Sequence, residues 1–467
     1  MRRCVIAIVL CVLWAAASEG AVDPPKVTAA FFRSHRDKLL ERLPQGSIAV
    51  IRTTSEADIS AVTDPFRSDS DFWYLTGFPE PEAVAVLRPT AADGKRYILF
   101  VRPKDFGEEQ WTGYRAGVEG AVKTYGADEA FPLAELWTRL PALAAGTTSL
   151  QYSDARDGKF REQLLAAWKR EDSNSRLLRP AADVGPLVHE MRLIKDDTEL
   201  ALIRRAVQLS AGAHRVAMAR TRPGVSEFAL KAAMVEHCLA GGAARMAYAP
   251  IVGSGPNSVI LHYDADDQPM AAGSMIVNDA ACEYAMYSAD VTRSYPAAGK
   301  FSADQRAIYE TVLAAQNAGI EMARPGIPFR DVHVATVEVV VDGLLKLGIL
   351  AGSRDQILKD RTYEKFYPHG SGHWLGLDVH DAGSYGYPEG VERKERYGKA
   401  TTPLAPGMVL TVEPGIYIPE GSTTDKRWWN IGVRIEDDVL VTQTGAECLS
   451  CGAPREIADV EKAIAGR

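Results

Sequence analysis

The sequence is poor in cysteine, and it has no dense block of basic residues. Only six cysteines occur in 467 residues, and the one Cys-x-x-Cys pair, Cys448 and Cys451, has no second pair beside it. A thiolate-rich structural zinc site is therefore excluded. The formal net charge is −8, and without a lysine- or arginine-rich run we expect no nucleic-acid partner. No apolar run reaches the ~20 residues that span a bilayer, so we expect no stable membrane insertion.

The remaining composition is typical of a globular protein, with 46% hydrophobic and 24% charged residues. A chain of this length is too long for one small core, and we predict two domains. The first block mixes strand-like and helix-like runs, which indicates an α/β domain. The runs are Ser47–Arg52, Tyr97–Arg102, Phe31–Leu43 and Phe160–Lys169. The pattern changes near Asp183–Pro186, so we place a smaller N-terminal domain at residues 22–182 and a second domain at residues 183–467.

The N-terminus has the features of a cleavable secretory signal. Arg2 and Arg3 precede the apolar run Val5–Ala17, and small residues at the end of that run suit a cleavage site. A membrane anchor is the alternative, but the run is shorter than a bilayer span. We predict that residues 1–21 are removed and that the protein is exported, either to the periplasm or as a secreted protein. In an oxidising compartment the Cys-x-x-Cys pair could close a small disulfide, which we interpret as structural.

The second domain contains a repeated pattern of two helices joined by an Arg-Pro-Gly turn. Asp196–Glu199 has the form of a capping box for a helix that ends before Arg222–Val225, and a second helix follows from Ser226 to about Ala240. Ser302–Gln305 can likewise cap a helix that ends before Arg324–Ile327, with another helix running through Leu347. Acid-bearing strands follow each pair, so the pattern favours two pseudo-symmetric halves.

Three of the nine histidines lie close together in the segment His369–His380. Acidic residues that could share a site with them occur in two stretches, 279–290 and 413–436. In the first, β-branched and aromatic residues indicate two strands with a turn at Ala285 and Met286. Such a hairpin would place Asp279 and Asp290 on one face, where two carboxylates repel each other unless a cation or a proton lies between them.

The second acidic stretch also places its carboxylates on strands. Glu413 ends an apolar run that is typical of a buried strand, and Glu436 follows Ile431, Val433 and Ile435 on the opposite face, together with Arg434. Four carboxylates and one imidazole suit a pair of divalent manganese, cobalt or zinc ions ~3.5–4 Å apart. Such a pair would make a bridging hydroxide available near neutral pH to attack a carbonyl.

The order and content of these motifs closely resemble the pita-bread metallopeptidases, and in particular the aminopeptidase P (Xaa-Pro aminopeptidase) family. The matching motifs are Ile251–Tyr263, Asp279–Arg293, His369–Asp381, Thr411–Tyr417 and Val433–Asp438. The segment Phe66–Val84 is similar to the creatinase-type N-terminal domain of that family. The resemblance implies an α+β fold, with a C-terminal catalytic pita-bread domain of pseudo-two-fold halves and a smaller N-terminal α/β domain.

The resemblance also assigns roles to individual residues. The implied metal ligands are Asp279, Asp290, His373, Glu413 and Glu436. Asp290 and Glu436 would bridge the two ions, for which manganese is the first choice and cobalt or zinc the alternatives. Glu413 would also carry a proton to the leaving amine.

Further residues match those that contact the substrate. His262 and His380 match histidines that steady the developing oxyanion. The residues that match the pocket for the substrate proline are His369, Tyr417 and Arg434. Tyr248 precedes His262 by the spacing of a family tyrosine near the metals. The implied reaction is release of the N-terminal residue from peptides with proline in the second position, by attack of a metal-bridging hydroxide.

Three other functions stay open at this point. An Xaa-Pro dipeptidase (prolidase) would use the same ligands, and a methionine aminopeptidase would be shorter and lack the first domain. A metal-free peptide- or protein-binding module should have lost ligands, and here all five are present. The family often forms dimers or tetramers, so we expect a homo-oligomer. We interpret the remaining histidines as surface or core residues; they are His35, His189, His214, His237 and His333.

Overall fold

The computed structural model describes residues 27–55, 66–153, 157–170, 180–386 and 402–466. The predicted secretory signal at residues 1–21 lies outside the described residues. Within them, no helix combines the length and the apolar character that a membrane crossing demands.

The first domain is built on one six-stranded sheet, in which the strand order is β4-β3-β2-β1-β5-β6. The strands are Ser47–Arg52 (β1), Val84–Leu87 (β2), Tyr97–Val101 (β3), Glu129–Pro132 (β4), Ser149–Ser153 (β5) and Ala181–Asp183 (β6). β2 runs antiparallel to both β1 and β3, whereas the pairs β1–β5, β3–β4 and β5–β6 are parallel. The predicted strands at Ser47 and Tyr97 are confirmed. β6 ends at Asp183, where the sequence places the domain boundary.

Helices cover both faces of this sheet. They are Ala29–Arg42 (α1), Ser70–Thr76 (α2), Phe106–Thr112 (α3), Gly117–Lys123 (α4), Leu136–Leu143 (α5) and Gly158–Arg170 (α6). Apart from the two ends of β1, the strands β1 to β3 are apolar because both faces are buried: their residues divide between one core with α5 and α6 and another with α1 and α2. Helix α7, Gly185–Leu193, then leads into the second domain.

The second domain consists of helix pairs packed on short antiparallel strands. Its helices are Asp197–Arg220 (α8), Glu227–Ala240 (α9), Ala303–Met322 (α10), Phe329–Lys346 (α11), Arg354–Asp360 (α12) and Ile457–Ile464 (α13). Its strands are Arg245–Met246 (β7), Ile251–Ser254 (β8), Met275–Asp279 (β9), Cys282–Tyr284 (β10), Tyr287–Ser288 (β11), Thr292–Pro296 (β12), Val409–Val412 (β13), Gly415–Ile418 (β14), Ile431–Arg434 (β15), Asp437–Val441 (β16) and Ala446–Cys448 (β17). Both predicted capping boxes form, at Asp196–Glu199 and at Ser302–Gln305.

The two Arg-Pro-Gly turns are alike in the backbone conformation of their glycine and in the hydrogen bond that its amide makes. Gly224 and Gly326 both have a positive φ, of 86° and 82°, which glycine adopts without strain. The Gly224 amide donates to the Met270 carbonyl at 2.9 Å, and the Gly326 amide donates to the Leu404 carbonyl at 2.8 Å. In both halves the strand that follows leads to candidate metal ligands. These matched contacts confirm the predicted pseudo-symmetric halves.

The predicted hairpin of residues 275–296 forms, but its strands are interrupted. Its turn lies at Ala285 and Met286, both with positive φ, as predicted. The structure has four short strands, β9 to β12, where we expected two long ones. Beside the interruption the backbone also contacts α8: the Cys282 amide donates to Ser210 Oγ at 2.9 Å. The register is the same on both sides of this gap, so the two aspartates share one face, as predicted.

All four described cysteines are paired. The expected small disulfide between Cys448 and Cys451 is present. A second disulfide, which the sequence did not lead us to predict, joins Cys238 at the end of α9 to Cys282 in β10 across a separation of 44 residues. It ties a helix to the hairpin that bears the two aspartates. The spacing of these cysteines carries no local signal, because neither lies in a motif.

Candidate metal centre and substrate cleft

A cavity of about 1960 Å³ lies between the two domains. Its wall includes Arg67 and Ser70 of the first domain and, from the second, all five predicted ligands. His262, His380, His369, Arg434 and Tyr248 also line it. Tyr417, in contrast, is buried and does not line the cavity. Thus one cavity contains nearly every residue that the sequence singled out, although they come from distant parts of the chain.

Asp279 stands at the end of β9 and is held by two side chains. Its Oδ1 accepts a hydrogen bond from the Tyr248 hydroxyl at 2.5 Å, and its Oδ2 accepts one from Arg434 Nη2 at 2.6 Å. Arg434 Nε also donates to the Thr292 hydroxyl, which in turn donates to Glu436 Oε2 at 2.7 Å. Asp279 and Glu436 are therefore fixed through one chain of polar contacts on adjoining strands.

Asp290, His373 and Glu436 form the tightest group. One potential ligand atom from each lies within 4.8 Å of the others. His373 Nε2 is 3.3 Å from Asp290 Oδ2 and 3.7 Å from Glu413 Oε1. His373 Nδ1 lies 3.0 Å from the Trp374 carbonyl, to which it donates, and this contact leaves Nε2 free to face the acids. The hydrogen bond from Nδ1 therefore fixes the orientation of the His373 ring, as is typical of a metal-binding histidine.

The protonation equilibria of this cluster show that it favours a cation. Burial and the charges of Asp290, Glu413 and Asp279 raise the pKa of Glu436 well above its usual range. Burial, opposed by His373 and reinforced by Asp290, raises the pKa of Glu413 to about 7. Burial lowers the pKa of His373, but the hydrogen bond to Asp290 and the nearby acids outweigh it and raise the value to about 9. Crowded, buried carboxylates retain protons, and divalent cations displace those protons when they bind. This donor set therefore fits the implied metals.

His380 and His262 lie at the edge of the same acids. The rings of His373 and His380 are 4.2 Å apart between centroids. The charge of His373, followed by burial, lowers the pKa of His380, and His262 contributes to the same shift. His380 is therefore a neutral imidazole near neutral pH, which can donate a hydrogen bond without adding a full charge.

The three residues predicted to line a proline pocket are linked in a row. His369 Nε2 lies 2.9 Å from the Tyr417 hydroxyl, and Arg434 Nη1 donates to the same hydroxyl at 2.9 Å. The buried Tyr417 hydroxyl thus connects His369 to Arg434, and Arg434 in turn contacts Asp279. The row thus joins the predicted proline pocket to a predicted metal ligand.

Several residues of the cleft were not predicted to be there. His189, which we interpreted as plain surface or core, lines the cavity, and its Nε2 lies 2.9 Å from Asp71 Oδ2. Arg67 donates to Glu283 at 2.8 Å and also to the Leu377 carbonyl at 2.5 Å. The first domain therefore contributes charged groups directly to the cleft. The charged run around Asp69 and Asp71 was the available signal, but its partners are more than 100 residues away.

His214 is a core residue, as predicted, but its position is specific. It is fully buried, and its Nε2 donates to the carbonyls of Ala280 and Val291 at 3.0 Å each. Those residues directly follow Asp279 and Asp290. His214 thus joins the two aspartate-bearing strands from behind. Burial, followed by the charge of Arg293, lowers its pKa to about 4.

This shift predicts a loss of stability as the pH falls from 6.5 towards 4. The unfolded chain protonates His214 near the ordinary histidine pKa of 6.5, whereas the folded protein does so at about 4, so the unfolded state binds more protons between these values. Between pH 7 and pH 5, His214→Asn should lose less unfolding free energy than the wild type, by about 2 kcal/mol. Urea denaturation at both pH values measures this. Parallel losses in the two proteins would contradict the assignment.

Comparison with known proteins agrees with this site. The profile of metallopeptidase family M24 matches residues 201–443, and that of the aminopeptidase P N-terminal domain matches residues 32–151. The chain is 38% identical over 440 residues to the Xaa-Pro aminopeptidase of Escherichia coli K12, an alignment that covers 92% of this chain and 96% of that one. An aminopeptidase structure from Pseudomonas aeruginosa has a TM-score of 0.88 at 39% identity, covering 94% and 98% of the two chains. Aminopeptidase P from E. coli, solved with the inhibitor Pro-Leu, has a TM-score of 0.88 at 36% identity, covering 95% and 99%.

The fold and the buried acid–histidine cluster define a metallo-exopeptidase with a pita-bread catalytic domain. The chain belongs to metallopeptidase family M24, and the relatives that it resembles include Xaa-Pro aminopeptidases. The predicted fold class and the predicted enzyme class are both confirmed.

Proposed function

We propose that this protein is a dinuclear metalloaminopeptidase that releases the N-terminal residue from peptides with proline in the second position. The observation that carries the proposal is the convergence of the five acid and histidine side chains on one wall of the interdomain cavity. Asp279, Asp290, His373, Glu413 and Glu436 would hold the two ions, with Asp290 and Glu436 as the ligands that both ions would share. Manganese is the proposed metal, with cobalt or zinc as alternatives.

The chain's own residues can carry out the remaining steps of the hydrolysis. Two divalent ions would supply an activated water and a Lewis acid beside the scissile carbonyl. Glu413 can take a proton from that water and return it to the proline nitrogen as the bond breaks. His380 and His262 line the same cavity as the five proposed ligands and can donate to the oxyanion.

Proline specificity has a direct physical reason. A bond before proline is a tertiary amide with no N–H, so an enzyme that binds its substrate as an extended strand loses a hydrogen bond there. His369 and Arg434 line the cavity and would offer a shaped surface for the ring instead, and the Tyr417 hydroxyl behind them contacts both side chains. The likeness to Xaa-Pro aminopeptidases over most of the chain supports an aminopeptidase over a prolidase.

The test is product release from Arg-Pro-Pro and Gly-Pro. Each peptide is incubated with metal-free protein and with protein given manganese, cobalt or zinc. We expect metal-dependent loss of arginine from the tripeptide, with the highest rate for manganese. Cleavage of the dipeptide alone would favour a prolidase. No cleavage of either peptide by metal-loaded protein would contradict the proposal.

We also propose export followed by removal of residues 1–21. The basic start and short apolar run of the N-terminus support it, as do the two disulfides of the described chain, because disulfides persist in oxidising compartments. N-terminal sequencing of the native protein after cell fractionation tests this. A chain that starts at Met1 in the cytoplasm would contradict it.

We propose a homo-oligomer as the working form. Three large aromatic side chains of the first domain stand in solvent, namely Phe106, Trp111 and Tyr114, with exposed fractions of 79%, 88% and 97%. Exposed aromatic residues grouped in this way are typical of interfaces. Sedimentation equilibrium should give a mass that is a multiple of the chain mass, and a monomer at micromolar concentration would contradict this.

A further inference from the structure

The disulfide-closed segment Cys448–Cys451, here called the Cys loop, contacts the backs of two aspartates. Its Ser450 is fully buried, although both cysteines are only partly buried. Ser450 Oγ donates to Asp437 Oδ1 at 2.5 Å and accepts from the Asp438 amide at 2.9 Å. The Leu449 amide also donates to the Asp438 carbonyl at 2.8 Å. A small loop thus holds two consecutive acidic residues at three points.

These aspartates in turn support the two proposed bridging ligands. Asp438 accepts hydrogen bonds from the Asp290 amide at 3.1 and 3.2 Å. Arg293 is fully buried, and it donates to Asp437 Oδ1 and to the Glu436 carbonyl, both at 2.6 Å. Asp290 and Glu436 are therefore held from behind by one buried polar cluster, and the Cys loop closes its outer side.

The group of Asp437, Cys448 and Cys451 in this cluster is not a metal site. Asp437 and the two cysteines come within ligand distance of one another. However, the sulfurs are joined to each other, and Asp437 already accepts from Arg293, Gln316 and Ser450. Its oxygens are satisfied, so the group is better explained as structural support.

We propose that the Cys448–Cys451 disulfide positions the metal pair, with Ser450 as the positioning residue through which it acts. The disulfide restricts the loop to the shape in which Ser450 reaches both aspartates. Without it, the hydroxyl would be free to leave, and the backbones of Asp290 and Glu436 would lose a common anchor. Groups that orient metal ligands commonly contribute 10–100-fold to metal affinity. The inference rests on the proposed ligand set.

The test is calorimetric titration of metal-free protein with Mn²⁺, using four variants. Ser450→Ala removes the hydroxyl and leaves the disulfide, and Cys448→Ser/Cys451→Ser opens the loop. We expect each to weaken Mn²⁺ binding by about tenfold. The triple variant combines all three substitutions. Its Mn²⁺ affinity should be within about twofold of that of the double cysteine variant, because both changes break the same connection. Glu447→Gln is the matched control, because Glu447 lies beside Cys448 in β17 and its side chain forms an exposed ion pair with Arg204 of α8; this variant should bind Mn²⁺ as the wild type does.

The outcomes separate this inference from the proposed function. Unchanged affinity in Ser450→Ala would overturn the positioning role, and so would unchanged affinity in the opened loop. Additive penalties in the triple variant would show that the disulfide does not act through Ser450. If the wild type itself bound no Mn²⁺, the ligand set would be wrong, and this inference would fall with it. Thermal melts of each metal-free variant show whether it is folded, and Ser450→Ala alone decides the question if the opened loop unfolds.

Discussion

Replacing Glu413 with glutamine should abolish turnover of an Xaa-Pro peptide, with kcat lower by at least about a thousandfold. General acid–base groups contribute ~10²–10⁴-fold, and Glu413 is also a proposed ligand. Glutamine has the same shape but cannot carry a proton between water and amine. Steady-state kinetics with Arg-Pro-Pro and saturating manganese measure the effect.

The same substitution should leave the fold intact. Glu413 adds negative charge to a crowded cluster, so the metal-free variant should be at least as stable as the wild type in a thermal melt. Glu420→Gln is the control, because Glu420 is exposed on the loop after β14 and should keep full activity. Wild-type turnover by Glu413→Gln would show that another group moves the proton.

Features set by neighbouring residues were predictable. The capping boxes at Asp196–Glu199 and Ser302–Gln305 lie within one turn of a helix, so their signal is local and they formed as expected. The turn at Ala285 and Met286 was predicted for the same reason. The Cys loop spans four residues, which allowed the expectation of its disulfide. In each case the residues that interact to fix the structure are close neighbours in the sequence.

Features that depend on distant segments were not predictable from pattern alone. The partners Cys238 and Cys282 lie in unrelated elements, and no motif links them. His214 sits in an ordinary apolar helix pattern, and only the tertiary structure shows its bonds to both aspartate-bearing strands. Choosing His373 among the three clustered histidines required the family resemblance, because strand periodicity shows which face a carboxylate occupies but not which histidine meets it.

The second large effect is expected at Arg192, which joins the two domains beside the cleft. Arg192 is buried in α7, and it donates from Nη1 to Asp71 of the first domain at 2.7 Å. Its Nη2 donates to Asp378 at 2.7 Å and also to Asp381. Asp381 directly follows His380, and Lys195 holds its other oxygen at 3.0 Å. One guanidinium thus connects the first domain to the loop that carries a proposed substrate-contacting histidine.

Arg192→Met should lower the free energy of unfolding by about 3–5 kcal/mol, because it removes the buried cation that Asp71, Asp378 and Asp381 share. Since His380 would lose its fixed neighbour, kcat/KM should also fall by at least about tenfold even at temperatures where the variant is folded. Urea denaturation and steady-state kinetics on Arg-Pro-Pro measure the two effects. They should occur together, since the same contacts cause both.

The matched control is Arg220→Met, because Arg220 pairs with Glu236 on the surface, where the side chains are 52% and 69% exposed. Exposed pairs of this kind contribute ~0–1 kcal/mol, so the change should leave both stability and kinetics close to those of the wild type. If Arg192→Met lost stability but kept full kcat/KM, the ion cluster would join the domains without positioning His380. If it lost neither, the three aspartates would find other partners, and the interdomain contact would not depend on this arginine.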